Sequence, residues 1–262
     1  MREVFAMWSH TKMVVLVALT AGVYAAILIP LKGIPLIPGF TELRPANAIP
    51  VVFSLLFGPA AAWGSAFGNL IGDFFGTLGL GSIGGFIGNF FYGYIPYKLW
   101  GRMGLLSSRQ PLDSRSGRWL LEYLLVAFLA SGVCAAIISY GTDLFGLVPF
   151  GILASVITLN NFLWAAILGP FLVWLMYPRA KRWDILWTEI LDPAEISQPA
   201  QSWIGPMLMW VGGIGALVVG VVISTGLYSA LPFQFGTGTT GFGVVAVVLP
   251  FLVVFVLGCL LA

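Results

Sequence analysis

Charged side chains are scarce in this sequence of 262 residues, which has 12 basic and 10 acidic residues, or 8% of the chain. Soluble domains carry about a quarter charged residues, so a soluble chain of this length could not cover its surface with so few. Hydrophobic residues make up 59% of the sequence. The composition therefore excludes a soluble enzyme, a disordered protein and a nucleic-acid-binding protein, and it predicts an integral membrane protein.

The sequence also lacks the residue sets that most enzymes need. Its single histidine, His10, precedes the first apolar run, and no G-x-x-x-x-G-K-[ST] phosphate loop is present,. The two cysteines, Cys134 and Cys259, lie inside apolar runs and are expected to pack as apolar residues. No charge lies at the centre of a run, which disfavours proton-driven transport. We expect no enzyme activity, no cofactor and no metal site.

Long apolar runs predict six full membrane spans, since about 20 apolar residues cross a bilayer. The runs lie near residues 13–30, 80–97, 119–140, 151–177, 203–225 and 242–261. The stretch from Ile49 to Phe75 is predicted to form two short helices, because Pro59 has no amide hydrogen and suits the first turn of a new helix. We therefore expect eight helices.

The placement of the basic residues favours this helix count. With eight helices, every basic residue except Lys32 and Arg44 falls in a predicted cytoplasmic segment. This agrees with the enrichment of lysine and arginine in the cytoplasmic loops of membrane proteins. A single span over 49–75 would instead separate Arg2 and Lys12 from the basic cluster at 98–118. The sequence thus predicts a multi-pass protein of the cell membrane with both termini in the cytoplasm.

Three parts are expected along the chain: a six-helix membrane bundle with the substrate site (1–177), a cytoplasmic interfacial linker (178–202) and two additional transmembrane helices (203–262). A Gly/Thr-rich loop, FGTGTTGFG, joins the last two helices. The linker carries apolar residues at the spacing of one helical face, namely Trp183, Trp187, Ile190 and Leu191. This spacing indicates either a short helix on the membrane surface or a connector that its tryptophans anchor.

Polar residues near the apolar spans are the candidates for ligand contact, because burying them costs free energy. The Pro-rich loop Leu31–Pro50 contains Glu42, Arg44 and Asn47. Two roles are open for Arg44: it holds a carboxylate or phosphate of a ligand through its guanidinium, or it forms an ion pair with Glu42 or Asp73 that fixes the loop.

Amides in a membrane span need hydrogen-bond partners, from another helix or from a ligand. The asparagines concerned are Asn69, Asn89, Asn160 and Asn161. The adjacent pair at 160 and 161 points to two sides of one helix, which makes it the strongest candidate for ligand contact. Hydrogen bonds between helices alone are the alternative, and it is favoured most for Asn69.

Small residues recur at a spacing of four in two stripes. One contains Gly64, Gly68, Gly72 and Gly76. The other lies on the first helix, with Ala18, Gly22 and Ala26 in one row and Ala21 and Ala25 beside it. Such stripes let helices approach closely, and a stripe on a peripheral helix can also dock a partner.

Four features follow one another along residues 10–177. They are a small-residue first helix, a Pro-rich outer loop, the segment ELRPANAIPVVFSLLFGPAAAWGSAFGNLIGDFF (42–75) with its L-F-G-P break, and the helix GSIGGFIGNFFYGYIPYKLW (81–100). In this order they resemble the substrate-binding S components of energy-coupling factor (ECF) transporters, the vitamin-uptake branch of ABC transporters.

The resemblance implies an all-α integral membrane protein with a six-helix S-component-like bundle, followed here by two extra C-terminal transmembrane helices that typical S components lack. It implies that one small water-soluble nutrient binds near the outer face, under the loop after the first helix. The fourth to sixth helices then line the pocket together with that loop. The substrate-binding residues implied are Glu42, Arg44, Asn47, Asn89, Tyr92, Asn160, Asn161 and Trp164.

The resemblance also implies partners. S components pass their ligand inward with a transmembrane coupling protein and two cytosolic ATPases, and a small-residue face of the first helix contacts the coupling protein. Ala18, Gly22 and Ala26, or Ala21 and Ala25, match that face. The lipid bilayer is the remaining expected partner, and no binding of nucleic acid is expected. A stand-alone permease or channel for a small solute, without ATPase partners, is the alternative function, and a membrane scaffold without a ligand is a third.

Overall fold

The computed structural model describes residues 1–196, 203–226 and 242–262, and it is 78% helical. The α-helices are α1 (Arg2–Ala6), α2 (Thr11–Leu28), α3 (Ala48–Phe57), α4 (Pro59–Asp73), α5 (Gly81–Leu99), α6 (Gly117–Leu144), α7 (Phe150–Arg182), α8 (Trp187–Ile190), α9 (Ile204–Ser224) and α10 (Phe242–Leu261). Short 3-10 helices cover Met7–Ser9, Ile29–Gly33, Pro45–Asn47 and Gly104–Leu106. Two short strands, β1 (Pro35–Ile37) and β2 (Thr41–Glu42), pair in antiparallel fashion.

Five of the described helices are long and apolar enough to span a membrane, which confirms the prediction of an all-α membrane protein. They begin at Thr11, Gly117, Phe150, Ile204 and Gly243. Helix α5 has 19 residues but is rich in glycine and tyrosine, and it packs between α4 and α6. Helices α4 and α6 therefore cover α5. A less apolar segment needs such cover, because lipid offers no hydrogen-bond partners.

The break at Gly58 divides the Ile49–Phe75 stretch into α3 and α4, as predicted. Gly58 has a φ of +52°, a conformation that favours glycine, and Pro59 opens α4,. Near this break, Trp63 Nε1 donates to the Val4 carbonyl oxygen at 3.0 Å. The other end of α4, at Asp73, lies beside the loop after α2. We call these two ends of the bundle the linker end and the loop end.

The glycine stripe of α4 is an internal packing surface. A methyl group on Gly64 would lie 2.4 Å from Thr20 Cβ, and one on Gly68 would lie 2.9 Å from the Ala21 carbonyl oxygen. Ala21 and Ala25 of α2 are buried at this contact. The small side chains thus let α2 and α4 approach to backbone distance, which larger residues would prevent.

The two C-terminal helices pack on each other and on the bundle. A methyl group on Gly212 would lie 2.3 Å from the Phe255 amide nitrogen, so α9 and α10 touch closely there. Ser224 at the end of α9 accepts a hydrogen bond from the Gly151 amide of α7 at 2.8 Å. Tyr94 of α5 donates to the Cys259 carbonyl oxygen of α10 at 3.0 Å. The pair is therefore joined to α5 and α7 by hydrogen bonds as well as by apolar contact.

The segment that follows the predicted sixth helix of the bundle, which is α7, differs from the predicted linker. Helix α7 continues to Arg182, and its 33 residues correspond to about 50 Å, so the basic residues expected to open the linker lie in its last turns,. Helix α8 has only four residues, Trp183 is 68% exposed, and Leu191 is buried. The four residues therefore do not share one helical face. Residues 197–202 of the linker, and 235–241 of the Gly/Thr-rich loop, lie outside the described residues.

Candidate substrate-binding site

A cavity of about 290 Å³ lies at the loop end of the bundle. Small-molecule sites span roughly 300–1,000 Å³, so its volume suits a compact solute. The hairpin β1–β2, the end of α4, the turn from Gly76 to Leu80, and parts of α5, α6 and α7 surround it. Its polar lining comes from Thr41, Arg44, Asn69, Asp73, Thr77, Ser82 and Thr142, and apolar residues such as Phe40, Leu80, Ile138, Leu153 and Ile157 complete the walls.

The hairpin β1–β2 covers this cavity. Pro35 pairs with Glu42, and the tip turns at Gly39 with a φ of +79°. Asn160 of α7 holds the hairpin from below: its Nδ2 donates to the Glu42 carbonyl oxygen at 2.7 Å, and its Oδ1 accepts from the Arg44 amide at 3.4 Å. Asn160 therefore positions the backbone of the hairpin rather than lining the cavity.

Two cations and two carboxylates meet beside the cavity. Arg44 Nη2 lies 3.0 Å from Glu42 Oε1, and Arg44 Nη1 donates to Asn69 Oδ1 at 3.0 Å. Lys32 Nζ lies 3.5 Å from Glu42 Oε1 and 3.8 Å from Asp73 Oδ1. These four side chains are at most 10% exposed. Burial disfavours the charged form of Arg44 and lowers its pKa, whereas the nearby Glu42 carboxylate raises it. The pKa of Arg44 lies above the ordinary value for arginine,.

Two polar atoms of this group keep unused hydrogen-bonding capacity. Within residues 1–196, 203–226 and 242–262, Arg44 Nε and Glu42 Oε1 have no hydrogen-bond partner, although both residues are buried. Glu42 Oε1 is close to Arg44 Nη2, but their contact is ionic and lacks the alignment of a hydrogen bond,. Buried polar groups are normally satisfied, so these two atoms mark unused hydrogen-bonding capacity next to the cavity,.

Five residues form a closed hydrogen-bond network beneath the cavity. The Tyr24 hydroxyl lies 2.7 Å from Asn47 Oδ1 and 3.1 Å from Asn89 Oδ1. Asn47 Nδ2 donates to Asn161 Oδ1, and the Tyr92 hydroxyl lies 2.8 Å from the Asn47 carbonyl oxygen. All five side chains are buried. They satisfy one another, which joins α2, α5 and α7 below the site.

The sequence-predicted substrate residues thus divide into three groups. Arg44 lines the cavity, and Glu42 and Asn160 lie next to it. Asn47, Asn89, Tyr92 and Asn161 belong to the network beneath it. Trp164 is half-buried on α7 and does not line the cavity, although its Nε1 has no hydrogen-bond partner in the described part of the chain.

The remaining polar lining residues were not among the predicted substrate residues. Asn69, Asp73 and Thr77 follow one another at a spacing of four, so they extend as one row from the end of α4 into the next turn. Asn69 Nδ2 donates to Asp73 Oδ2 at 3.3 Å, and Thr77 Oγ1 donates to Asp73 Oδ1 at 3.0 Å. This spacing was the signal that could have identified them.

The predicted docking residues separate into an exposed and a buried row. Ala18, Gly22 and Ala26 are exposed on α2, and nothing lies within 4 Å of a methyl group placed on Gly22. Ala21 and Ala25 face α4 and are buried there. A partner protein can therefore reach only the first row without separating α2 from α4.

Residues 14–178 match the sequence profile of the QueT transporter family, described as the QueT transporter. No curated protein and no solved structure shows significant similarity to the chain. The matched segment includes more than half of the chain and runs from α2 into α7, which are the helices around the cavity. It identifies a transporter component rather than an enzyme. The chain therefore belongs to the QueT transporter family, a family of substrate-specific S components of ECF transporters.

Proposed function

We propose that this chain captures preQ1, the queuosine precursor associated with its family, at the outer face of the cell membrane and passes it inward. The observation that carries the proposal is the cavity at the loop end of the family-matched bundle, with Arg44, Asn69 and Asp73 in its lining. The charge pattern supports an outward-facing loop end, since Lys32 and Arg44 are the two basic residues excluded from the predicted cytoplasmic segments,.

The chemistry of the lining suits preQ1. This molecule is a 7-deazaguanine with an aminomethyl group, so it offers a carbonyl oxygen, several N–H donors and one ammonium. The Arg44 guanidinium and the Asn69 amide provide donors for the carbonyl, while the Asp73 carboxylate accepts N–H groups,. The nearby carboxylates of Glu42 and Asp73 disfavour a phosphate, one of the ligand groups that Arg44 alone suggested.

The partners proposed for transport are an ECF transmembrane coupling protein and two cytosolic ATPases. The chain has no phosphate loop of its own, so energy from ATP must come from other subunits,. The exposed row Ala18, Gly22 and Ala26 on α2 offers a flat surface on which a helix of the coupling protein can pack closely,.

Calorimetric titration of the purified protein with preQ1 tests the proposed substrate. We expect saturable binding with one site per chain, loss of at least tenfold in affinity for Asp73→Asn, and no change for Glu189→Gln, an exposed carboxylate at the linker end,. Guanosine monophosphate serves as the phosphate-bearing control and should not compete. Folded protein that gave no heat with preQ1 would refute the proposed substrate.

The dependence on partners needs a separate experiment in cells. Uptake of labelled preQ1 is compared between cells with the chain alone and cells that also express the coupling protein and ATPases. We expect uptake only with the partners. Equal uptake without them would support the stand-alone permease instead.

A further inference from the structure

The Lys32 ammonium lies between acidic groups at the edge of the cavity. Its Nζ donates to Thr77 Oγ1 at 2.5 Å, and Thr77 in turn donates to Asp73 Oδ1. The two carboxylates are more distant, at 3.5 Å for Glu42 Oε1 and 3.8 Å for Asp73 Oδ1. Lys32 is thus enclosed, with a side chain only 9% exposed, but among the residues that the structure describes a single hydroxyl provides its hydrogen bond.

The two carboxylate contacts are too long for strong hydrogen bonds, which join charged N–H groups to oxygens at about 2.7–2.9 Å. Glu42 Oε1 also has no hydrogen-bond partner among the described residues. An ammonium held in this way is stabilised by charge but not by close geometry. Another ammonium that approaches the carboxylates directly can therefore replace it.

The position of Lys32 in the chain allows such a replacement. Lys32 belongs to the short 3-10 helix Ile29–Gly33, which joins α2 to the hairpin over the cavity. Lysine has a flexible four-carbon stem, and its strongly hydrated charge is favoured in water. Released from Thr77, the side chain can turn outward to solvent while the backbone stays in place.

We propose that Lys32 is a specificity-determining residue whose ammonium holds the cation position beside Glu42 and Asp73, and that the ammonium of an incoming substrate displaces it. The inference rests on the proposed function and deepens it: the site selects small heterocycles that carry a primary ammonium. A neutral analogue cannot replace Lys32, because the carboxylates would lose part of their counter-charge. Lys32 and Arg44 balance the charges of Glu42 and Asp73.

Lysine labelling of the wild-type protein tests the displacement directly. The folded protein is treated briefly with a trace of acetic anhydride, far below the concentration of preQ1, so that nearly all of the ligand keeps its free amine. Samples without preQ1 contain an equal concentration of glycine as the competing amine, and the acetylation of each lysine is measured by mass spectrometry. We expect preQ1 to increase the labelling of Lys32 severalfold, while the exposed Lys12 and Lys181 act as internal controls. 7-Methyl-7-deazaguanine, which lacks the amine, should leave Lys32 unchanged. Unchanged or reduced labelling at saturating preQ1 would overturn the inference.

Binding measurements on Lys32→Met and Lys32→Gln give a second, independent test. Without the competing cation, preQ1 should bind about tenfold more tightly, whereas the neutral analogue should bind no better. Lys32→Gln keeps a hydrogen-bond donor for Thr77 and replaces the methionine variant if that one is not folded. If the wild type binds preQ1 but neither variant binds it more tightly, the role of Lys32 is refuted and the proposed function is not. No binding of either compound to any variant would refute the proposed function itself.

Discussion

The buried ion pair between Glu3 and Lys98 makes a strong prediction about stability. Glu3 lies on α1 and Lys98 near the end of α5, and their oxygen and nitrogen atoms are 2.7 Å apart with both side chains at most 3% exposed. The Tyr97 hydroxyl adds a contact of 3.3 Å to Glu3. This group attaches the N-terminal helix to the linker end of the bundle.

Replacing one partner of this pair leaves the other charge in a site without its counter-charge. Loss of one partner of a buried pair costs about 3–5 kcal/mol. For Lys98→Met we take the lower figure, since the Met1 amino group lies 3.6 Å from Glu3 Oε2 and leaves one positive charge beside that carboxylate. At about 2–4 °C per kcal/mol, Lys98→Met should lower the apparent melting temperature by roughly 6–12 °C.

The assay is thermal unfolding in detergent, followed by tryptophan fluorescence. Glu3→Gln should cause at least as large a loss, because Lys98 and the Met1 amino group then lack their counter-charge. The double variant should lose clearly less than both single changes together, because the two residues act as one unit. Glu189→Gln, exposed on α8, is the control and should not shift the transition. Additive losses, or single variants that melt within 1 °C of the wild type, would refute this reasoning.

Three further predictions concern packing, docking and the hairpin. Gly64→Ala should lower the melting temperature, because the added methyl group would lie 2.4 Å from Thr20 Cβ, whereas Gly22→Ala, in open space, should melt like the wild type. Gly22→Leu should leave preQ1 binding unchanged but abolish copurification with the coupling protein; intact copurification would contradict the docking assignment. Asn160→Ala removes two hydrogen bonds to the hairpin, each worth about 1 kcal/mol, so ligand dissociation measured by stopped-flow fluorescence should be up to about thirtyfold faster,. An unchanged dissociation rate would show that Asn160 does not hold the cover closed.

The helices and the break at Gly58 were predictable because each depends on local sequence. Apolar length gives the spans, and a proline after a glycine gives the break without knowledge of any distant contact. The length of α7 was underestimated, since basic residues suggest a loop yet remain compatible with a helix that continues beyond the membrane. The predicted helical face around Trp187 was also wrong, because spacing alone does not ensure that a helix forms.

The polar site was less predictable because hydrogen-bond partners come from distant parts of the chain. Asn47, Asn89 and Asn161 are residues of the type expected in a ligand site. They instead form hydrogen bonds with one another and with Tyr24. Of the two roles that the sequence left open for Arg44, the structure shows the ion pair with Glu42, and the ligand role stays a prediction for a residue that also lines the cavity. Asp73 was expected only as a possible ion-pair partner of Arg44, whereas it lines the cavity itself.

The placement of α9 and α10 determines which side of the bundle stays accessible within the bilayer. Helix α2 packs mainly on α3 and α4, whereas α9 packs on α6 and α7 and α10 meets α5 at Tyr94, so α2 and the C-terminal pair pack mainly on different helices. The pair occupies perimeter that lipid would otherwise cover along α6 and α7, while Gly22 of α2 remains open. A coupling protein on α2 and the extra helices can thus be present together. The added helices then enlarge the lipid-facing footprint of the protein without competing for its partner.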